Sequence, residues 1–399
     1  MSTDLADPAT SIQRASTRTV GGASTGTRAD TTSASTPVAS TPAATTLTAS
    51  TGPTLPHERL HILNGERSGL TISIAVHSTK LGQALGGCRL WTYDNWAEAV
   101  HDSIRLAEGM TLKNAAAGLN RGGGKTVIFL PKGTALDAQR RRNVMLDLGD
   151  AIESLGGTYM TAEDVGTSAD DMAVVAERTA HVCGLPSDRG GVGEPSDATA
   201  AGVYAGLRAT LTEVFGTPDA AGRHVTVLGL GHVGSLIATR LAAEGALLTV
   251  TDVNPAKREL ANRLGATWVE PDRAHCVEGD LFVPAGVGGI LTDTVIDELR
   301  VAGVVGPANN QLAEPSAAER LRARGIAWAP DFVVNAGGVI FLDTLSRPGA
   351  SADTTRARVE SIGDTIAHIF ADARARDITT LAAAEELAAA RLNAEPAFA

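Results

Sequence analysis

The sequence has little cysteine, few aromatic residues and no excess of basic side chains. Its 399 residues include three cysteines, Cys88, Cys183 and Cys276, which lie far apart and lack the paired spacing of a zinc or redox motif. We therefore expect free thiols, no metal site and a reducing, cytoplasmic location. The net charge is −11, and no basic stripe is interleaved with aromatic residues, so nucleic acid is not an expected partner.

Long apolar runs are absent as well. The sequence contains no stretch of about eighteen apolar residues, so we expect no membrane span. The partners that remain are small molecules and further copies of the chain, and we expect a homo-oligomer. At 399 residues the chain exceeds the usual size of one hydrophobic core, which predicts two domains.

The first part of the chain lacks large apolar side chains. Residues 1–54 are dominated by Ser, Thr, Ala and Gly, which predicts a disordered tail. Neither a secretory signal nor a transit peptide fits their charge pattern. We predict a first α/β domain at 55–195, a second domain at 196–340, and C-terminal helices at 341–399 that pack back on the first domain.

Hydrophobic periodicity predicts an α/β fold. Asn64-Gly65 favours a turn between two β-rich runs, and in the second domain strands alternate with helices, which predicts a parallel, doubly wound sheet. Ser196 is a candidate helix cap. The predicted strands are 57–63, 71–79, 126–131, 157–162, 224–230, 247–252 and 280–284, and the predicted helices are 96–116, 137–155, 168–179, 197–215, 232–244, 255–264 and 354–392.

A dinucleotide-binding fingerprint follows the strand that ends near Leu228. Its glycines permit a tight turn, close approach of the pyrophosphate and close packing of the next helix, and the acidic Asp252 follows at the end of the second strand. These features predict NAD as the cofactor. Asp252 would repel a 2′-phosphate, although Lys257 and Arg258 lie nearby and leave NADP open. The fingerprint is Gly229-Leu230-Gly231-His232-Val233-Gly234.

Two lysines and one aspartate are the candidate chemical groups. Lys113 lies near the end of an apolar-faced helix, Lys125 follows Gly122-Gly123-Gly124, and Asp164 comes at the end of a predicted strand. Two ammonium groups can hold a carboxylate and provide a base, while a carboxylate can contact an amine. The alternatives are solvated lysines and a helix-capping aspartate. A phosphate loop does not fit, because Leu119 stands where the first glycine is needed.

Several phrases of the chain between Leu55 and Leu345 together resemble the glutamate, leucine, phenylalanine and valine dehydrogenase superfamily, and most of all its branched-chain and aromatic amino-acid branch. The phrases are Leu85-Gly86-Gly87-Cys88-Arg89, Gly109 to Lys125, Thr161 to Thr167, Gly229 to Gly234, Ala308-Asn309-Asn310-Gln311 and Ala329 to Val339.

The resemblance implies a substrate domain followed by a Rossmann domain, and a reversible NAD-dependent deamination that yields a 2-oxo acid and ammonia. It implies that Lys113 binds the substrate α-carboxylate and that Lys125 activates water. Asp164 would contact the amino group and relay protons. It further implies that Asn309 lies near substrate and nicotinamide, and that Thr199 faces the cofactor. Gly86 joins the expected substrate-binding residues.

Side-chain specificity follows partly from charge. Glutamate-specific relatives place a lysine and a serine where this chain has Leu85 and Leu342, so a second carboxylate would be buried without a partner. We therefore predict an apolar substrate, leucine or valine, with phenylalanine as the alternative because a pocket discriminates weakly among apolar side chains.

Three positions depart from the superfamily's pattern. Cys88 stands where relatives commonly have threonine, Pro284 lies in a segment that lacks the usual Pro-Cys-Ala, and Pro307 precedes Ala308-Asn309. The last two lie near the expected nicotinamide. A function of another class, a non-catalytic NAD-binding regulatory subunit, is the second hypothesis, and the intact Lys113, Lys125 and Asp164 favour the enzyme.

Overall fold

The first sheet carries the candidate lysine and aspartate. In the computed structural model, which describes residues 55–286, 288–347 and 349–394, this sheet has the strand order β1-β2-β4-β3-β5. The predicted hairpin is confirmed, since β1 and β2 pair antiparallel, and β3 pairs in parallel with both β4 and β5. The strands are β1 (Arg59–Asn64), β2 (Thr71–Ser78), β3 (Ala84–Tyr93), β4 (Gly122–Pro131) and β5 (Tyr159–Glu163).

The second sheet is parallel throughout its described pairings, as the alternating pattern predicted. Its strand order is β11-β10-β9-β6-β7-β8. Ligand-binding loops therefore gather at the carboxyl ends of these strands. The strands are β6 (His224–Leu228), β7 (Leu247–Thr251), β8 (Thr267–Trp268), β9 (Leu281–Pro284), β10 (Gly303–Val304) and β11 (Ala327–Trp328).

Helices cover both sheets, and several begin at residues whose side chains accept a backbone N–H. Asn95 accepts from Glu98, and Ser168 with Asp171 forms a capping box. The helices are α1 (Trp96–Ala116), α2 (Ala138–Glu153), α3 (Ala169–Val175), α4 (Ser196–Phe215), α5 (His232–Ala243), α6 (Arg258–Arg263), α7 (Asp293–Glu298), α8 (Ala317–Ala323), α9 (Asp331–Val334), α10 (Gly337–Leu345), α11 (Ala352–Glu360), α12 (Ile362–Arg376) and α13 (Thr380–Asn393).

The C-terminal helices return to the first sheet's helix. α13 packs against α1, and α12 packs against α4. Buried residues such as Leu119, Tyr204 and Ile366 join these helices and the second sheet in one apolar core. The predicted α/β class, with a Rossmann-like sheet and C-terminal helices packed back on the first domain, is confirmed. The predicted tail 1–54 lies outside the described residues, and the domain limits stay predictions.

Some local predictions were wrong. The strand β3 was not predicted, because Gly86 and Gly87 lower its β propensity and only pairing with two neighbours supplies its stability. Ser196 does not cap α4, since its hydroxyl bonds Glu194 and the helix begins at Ser196 itself. The single helix predicted over 354–392 is three helices, broken at Ser361 and at Asp377, which adopts a left-handed conformation.

Candidate active site

A cavity of about 330 Å³ collects most of the predicted site residues. Its wall is formed by β3, α1 and β4 on one side, and by α4 and the segments after β10 and β11 on the other. Of the fingerprint, Val233 reaches this wall. The predicted residues that line the cavity are Leu85, Gly86, Lys113, Lys125, Asp164, Thr199, Val233, Asn309 and Leu342.

Lys125 and Asp164 form a largely buried ion pair. Lys125 Nζ lies 2.9 Å from Asp164 Oδ2, and the two side chains are 7% and 20% exposed. Lys125 belongs to β4 and Asp164 follows β5, so β3 runs between them. A Cβ on Gly87 of β3 would lie 2.8 Å from Asp164 Cβ. The glycine therefore provides the room in which the two charged side chains meet across the middle strand.

Arg89 holds the other side of the same carboxylate. Its Nε donates to Asp164 Oδ2 at 3.2 Å, and its Nη1 donates to Asp102 Oδ2 at 3.0 Å. Asp102 also accepts from the Tyr93 hydroxyl at 2.6 Å. The sequence pattern by itself did not assign Arg89 a role. The available signal was a charged residue in a run that is otherwise glycine and apolar residues.

The two cations determine the ionisation of Asp164. Burial by itself would raise the pKa of this carboxyl, but the charges of Lys125 and Arg89 outweigh burial and lower the pKa from 3.8 to about 2. The side chain is therefore a carboxylate at neutral pH. It offers the cavity a hydrogen-bond acceptor and a negative charge suited to an amino group.

Lys113 lies on α1 and faces the cavity, where its ammonium group is hydrogen-bonded to a residue from the second half of the chain. Its Nζ donates to Asn309 Oδ1 at 3.0 Å, and Asn335 Nδ2 donates to the same oxygen at 2.8 Å. Burial lowers the pKa of Lys113 from 10.5 to about 8, while the carboxylate of Asp331 acts in the opposite direction. The group is thus mainly an ammonium at pH 7, and it can bind a carboxylate.

Asn335 and Asp331 are residues of the candidate site that no sequence pattern had indicated. Both line the cavity, and they are 7% exposed. Burial raises the pKa of Asp331, which accepts the Gln311 N–H. Asn335 Oδ1 is buried and has no hydrogen-bond partner among the described residues. A buried acceptor of this kind needs a donor, and a ligand in the cavity can supply one.

The wall around Leu85 and Leu342 is apolar. Leu85, Leu342, Ala162 and Cys183 are each between 2% and 6% exposed and pack as one cluster. Met160, Val192, Val339 and Phe341 are partly buried against them. Leu85 and Leu342 also line the cavity. A distal carboxylate placed against these two leucines would be desolvated, whereas an aliphatic side chain would gain apolar contact.

The fingerprint glycines have the space that a dinucleotide needs. Gly229 has φ +106°, and a Cβ there would lie 2.8 Å from the backbone of Ala285. A Cβ on Gly234 would lie 2.1 Å from Gly229 O, whereas a Cβ on Gly231 would meet nothing within 4 Å. The tight turn and close helix packing thus require glycine, and the space at Gly231 stays open. His232 begins α5, whose first turn has no side-chain cap, so its N–H groups can meet a phosphate.

Asp252 is bound into the turn after β7. Its Oδ2 accepts the Leu230 N–H at 2.6 Å, and its Oδ1 accepts the Asn254 N–H at 2.7 Å. Arg258, a residue that could have served a 2′-phosphate, donates instead to Glu270 at 2.6 Å and lies over the Trp268 ring. The turn after β7 therefore fits the ribose of a nicotinamide dinucleotide.

The three glycines before Lys125 serve packing. A Cβ on Gly123 would lie 2.1 Å from Thr111 N of α1, and a Cβ on Gly122 would lie 1.9 Å from Ser78 O of β2. A Cβ on Gly124 would meet the Tyr159 ring at 2.7 Å. The glycines let β4 lie directly against its neighbours, which brings Lys125 and Lys113 to one cavity.

Two regions of the chain match models of known protein families. Residues 58–181 match the family described as Glu/Leu/Phe/Val dehydrogenase, dimerisation domain, and residues 256–394 match Glutamate/Leucine/Phenylalanine/Valine dehydrogenase. The chain is 43% identical over 339 residues to leucine dehydrogenase of Bacillus cereus, an alignment that covers 84% of this chain and 91% of that protein. The chain belongs to the Glu/Leu/Phe/Val dehydrogenase family. The resemblance inferred from the sequence is therefore confirmed.

Other relatives agree with this assignment. Valine dehydrogenase of Streptomyces albus is 42% identical over 341 residues, which covers 84% of this chain and 92% of that protein. The crystal structure of L-tryptophan dehydrogenase from Nostoc punctiforme superposes with a TM-score of 0.72 at 32% identity, covering 85% of this chain and 96% of that one. These family members carry names for apolar amino acids, in line with the apolar cluster at Leu85 and Leu342.

The three residues that depart from the family pattern, Cys88, Pro284 and Pro307, each have a structural role. Cys88 is fully buried in β3, and burial raises the pKa of its thiol, so it is a core residue. The Pro284 carbonyl accepts the Ala308 N–H at 3.0 Å, and the Pro307 carbonyl accepts from Asn335 Nδ2 at 3.1 Å. Pro307 itself lines the cavity.

The three cysteines are free, as predicted, and none of the described helices is long and apolar enough to cross a bilayer.

We expect Arg89→Gln to destabilise the protein because it leaves Asp102 and Asp164 without their shared cation. The free energy of unfolding at pH 7 should fall by about 3 kcal/mol. Denaturant unfolding measures the loss. Since the folded pKa of Asp164 is about 2, below the ordinary 3.8, its stabilising contribution is complete above about pH 4 and is lost as the pH falls toward 2.

Arg105→Gln is the matched control for this change. Arg105 donates to the same Asp102 at 2.8 Å, but its side chain is 47% exposed and does not touch Asp164. Its loss should cost at most about 1 kcal/mol. Equal losses for the two variants would contradict the importance of the Arg89 bridge.

Proposed function

We propose that the protein is an amino-acid dehydrogenase that uses NAD to convert a branched-chain L-amino acid, leucine or valine, to the 2-oxo acid and ammonia in the cytoplasm. The observation that carries the proposal is one cavity lined by Lys113, the Lys125–Asp164 pair and the apolar Leu85–Leu342 wall. The names of the relatives, leucine and valine dehydrogenase, support the same reaction.

The substrate is oriented by three features of the cavity. The Lys113 ammonium binds the α-carboxylate, and Asn309, which shares a hydrogen bond with Lys113, lies beside it. Leu85 and Leu342 contact the aliphatic side chain. Gly86 lines the same cavity, and a Cβ there would lie 1.8 Å from Gly124 O, so the close packing of β3 on β4 requires glycine at this position. The amino group then faces the carboxylate of Asp164.

The bound nicotinamide supplies the acceptor for the hydride that leaves the substrate Cα. Asp164 stabilises the cationic iminium by its negative charge. Lys125, 2.9 Å from that carboxylate, acts as the neutral amine after its ammonium proton has passed to solvent; it takes a proton from the water that attacks the iminium carbon and returns that proton to the departing nitrogen. The C–N bond of the resulting adduct breaks, ammonia leaves, and the 2-oxo acid remains. With a pKa near 2, Asp164 carries a proton only in passing between the amine and Lys125.

NAD is the proposed cofactor because of the residues around Asp252. The fingerprint from Gly229 to Gly234 would receive the pyrophosphate at the start of α5. Thr199 lines the substrate cavity, as does Val233 of the fingerprint. The Asp252 carboxylate would accept from the ribose hydroxyls and repel a 2′-phosphate. Arg258, which follows Asp252 by six residues, pairs with Glu270.

The decisive assay measures NADH formation with leucine, valine, phenylalanine and glutamate. We expect the highest kcat/KM for leucine or valine, a lower value for phenylalanine, and little turnover of glutamate because its distal carboxylate would be buried beside leucine side chains. NADP in place of NAD should lower the rate. Absence of turnover with all four amino acids would favour the alternative function, a non-catalytic NAD-binding regulatory subunit.

Lys125→Ala should lower kcat by about 10²- to 10⁴-fold in this assay, because it removes the proposed base. Lys132→Ala is the matched control, since Lys132 follows the same strand, is 71% exposed and pairs only with Asp94 among the described residues. The control should keep the parent rate.

The protonation of Lys113 should appear in carboxylate binding. Its pKa of about 8 lies below the ordinary 10.5, so the charge is present below pH 8 and lost above it. We expect the inhibition constant of 4-methylpentanoate, which has the leucine skeleton without the amine, to rise about tenfold per pH unit above pH 8. Lys113→Arg keeps its charge and should flatten this profile. A flat profile in the parent protein would contradict the assignment of Lys113 as the anchor.

We further propose a homo-oligomer that assembles through the first sheet. The matched family region over residues 58–181 is described as a dimerisation domain. Ile62 on the edge strand β1 and the tryptophans Trp91 and Trp96 are 43% to 53% exposed. An exposed apolar side chain on an edge strand such as β1 favours pairing with another copy. Sedimentation equilibrium should give a multiple of the chain mass, and a purely monomeric protein would contradict the proposal.

A further inference from the structure

A compact group of metal-ligand side chains lies outside the candidate active site. His275 and Cys276 end a 3-10 turn, Pro271–Cys276, and Glu298 ends α7. One ligand atom from each residue lies within 4.8 Å of the other two. The imidazole nitrogen, thiol sulfur and carboxylate oxygen are all donors that zinc accepts. The sequence shows no zinc-binding motif here, because Glu298 comes from a different helix and lies 22 residues after Cys276.

The separations of these atoms are close to those of a zinc tetrahedron. Zinc bonds of roughly 2.0 Å to nitrogen and oxygen and 2.3 Å to sulfur require N···O and S···O distances of roughly 3.3 and 3.5 Å. His275 Nε2 lies 2.7 Å from Glu298 Oε2, and Cys276 Sγ lies 3.4 Å from the same oxygen. The sulfur–oxygen distance already fits and the nitrogen–oxygen distance is about 0.6 Å short, while the nitrogen and the sulfur lie within 4.8 Å of each other, so the side chains have to adjust to bind the ion.

The backbone holds the two ligand-bearing segments together. Glu278 and Arg300, each two residues past a ligand, form a parallel β-bridge, and the Gly279 N–H donates to Arg300 O at 3.1 Å. The ligands are therefore positioned before any ion arrives, which lowers the entropy cost of binding. The His275 side chain is 13% exposed and that of Glu298 is 50% exposed, so the group is open to solvent on one side. A water can take the fourth position there.

The electrostatics suit a divalent ion that is bound with loss of one proton. A thiolate and a carboxylate with a neutral imidazole would balance the two charges of zinc. A cysteine binds zinc as the thiolate, so binding through Cys276 releases the thiol proton, and this release is itself measurable.

The group lies at the edge of the second sheet opposite the cofactor site. Cys276 and Glu298 each come five residues before a parallel strand, β9 and β10, which begin at Leu281 and Gly303. The fingerprint, in contrast, follows the carboxyl end of β6, which is parallel to β9. A metal at this edge would not contact the substrate or the nicotinamide.

We propose that His275, Cys276 and Glu298 form a zinc site, completed by water, that fastens the 3-10 turn to the end of α7. The site acts on stability and takes no part in turnover. It departs from the expectation, drawn from cysteine spacing, that the chain has no metal site.

Titration of the metal-free full-length protein with zinc and with cobalt(II) tests the proposal. We expect saturation at one ion per chain, release of one proton, and a thiolate-to-cobalt charge-transfer band. Excess zinc should raise the unfolding midpoint by about 5 °C. Cys276→Ser should abolish the cobalt band, and His275→Ala and Glu298→Gln should weaken binding at least tenfold.

Matched controls separate this site from general metal binding. Asp293→Asn changes a carboxylate at the start of the same helix whose side chain is 70% exposed, and His368→Ala removes an exposed histidine elsewhere. Both should bind like the parent protein. The proposal is overturned if no saturable ion binds, or if Cys276→Ser gives the same stoichiometry and cobalt spectrum as the parent. Neither result depends on dehydrogenase activity, so the two proposals fail or stand separately.

Discussion

The buried carboxylate of Asp164, held between Lys125 and Arg89, is the interaction on which the candidate active site depends. Charges removed from water are costly unless they are paired at short distance, so the backbone has to bring three ionised groups together. The strand order β4-β3-β5 and the absence of a side chain at Gly87 allow this. The same pairing keeps Asp164 ionised at neutral pH, which is the state in which it can receive an amino group or an iminium cation.

A second constraint joins the two halves of the protein. Lys113 belongs to α1 beside the first sheet, but its ammonium is bound by Asn309, which follows β10, and Asn309 is bound in turn by Asn335. The position of the ammonium proposed to anchor the substrate carboxylate therefore depends on Asn309, which follows Lys113 by 196 residues. Correct docking of the two sheets is a condition for the chemistry.

Long periodic segments and local motifs were predictable from the sequence. Helix α1 begins at Trp96 and ends at Ala116, as its apolar spacing predicted, and the fingerprint follows a strand and opens a helix. β3 and the short strands β8, β10 and β11 were missed, because glycine content or a length of two residues leaves no periodic signal. The triple glycine before Lys125 is evident in the sequence, but its packing against α1, β2 and Tyr159 is evident only in the fold.

The sequence by itself determined the α/β class, the parallel second sheet, the position of the dinucleotide fingerprint and the family, since these depend on local periodicity and on contiguous motifs. The tertiary structure alone decided which charged groups meet. Arg89, Asp331 and Asn335 line the candidate active site and Asp102 pairs with Arg89, while His275, Cys276 and Glu298 converge at the opposite edge of the second sheet. The physical reason is that pairing of strands and docking of helices bring distant residues within a few ångströms, and neither leaves a periodic trace along the chain.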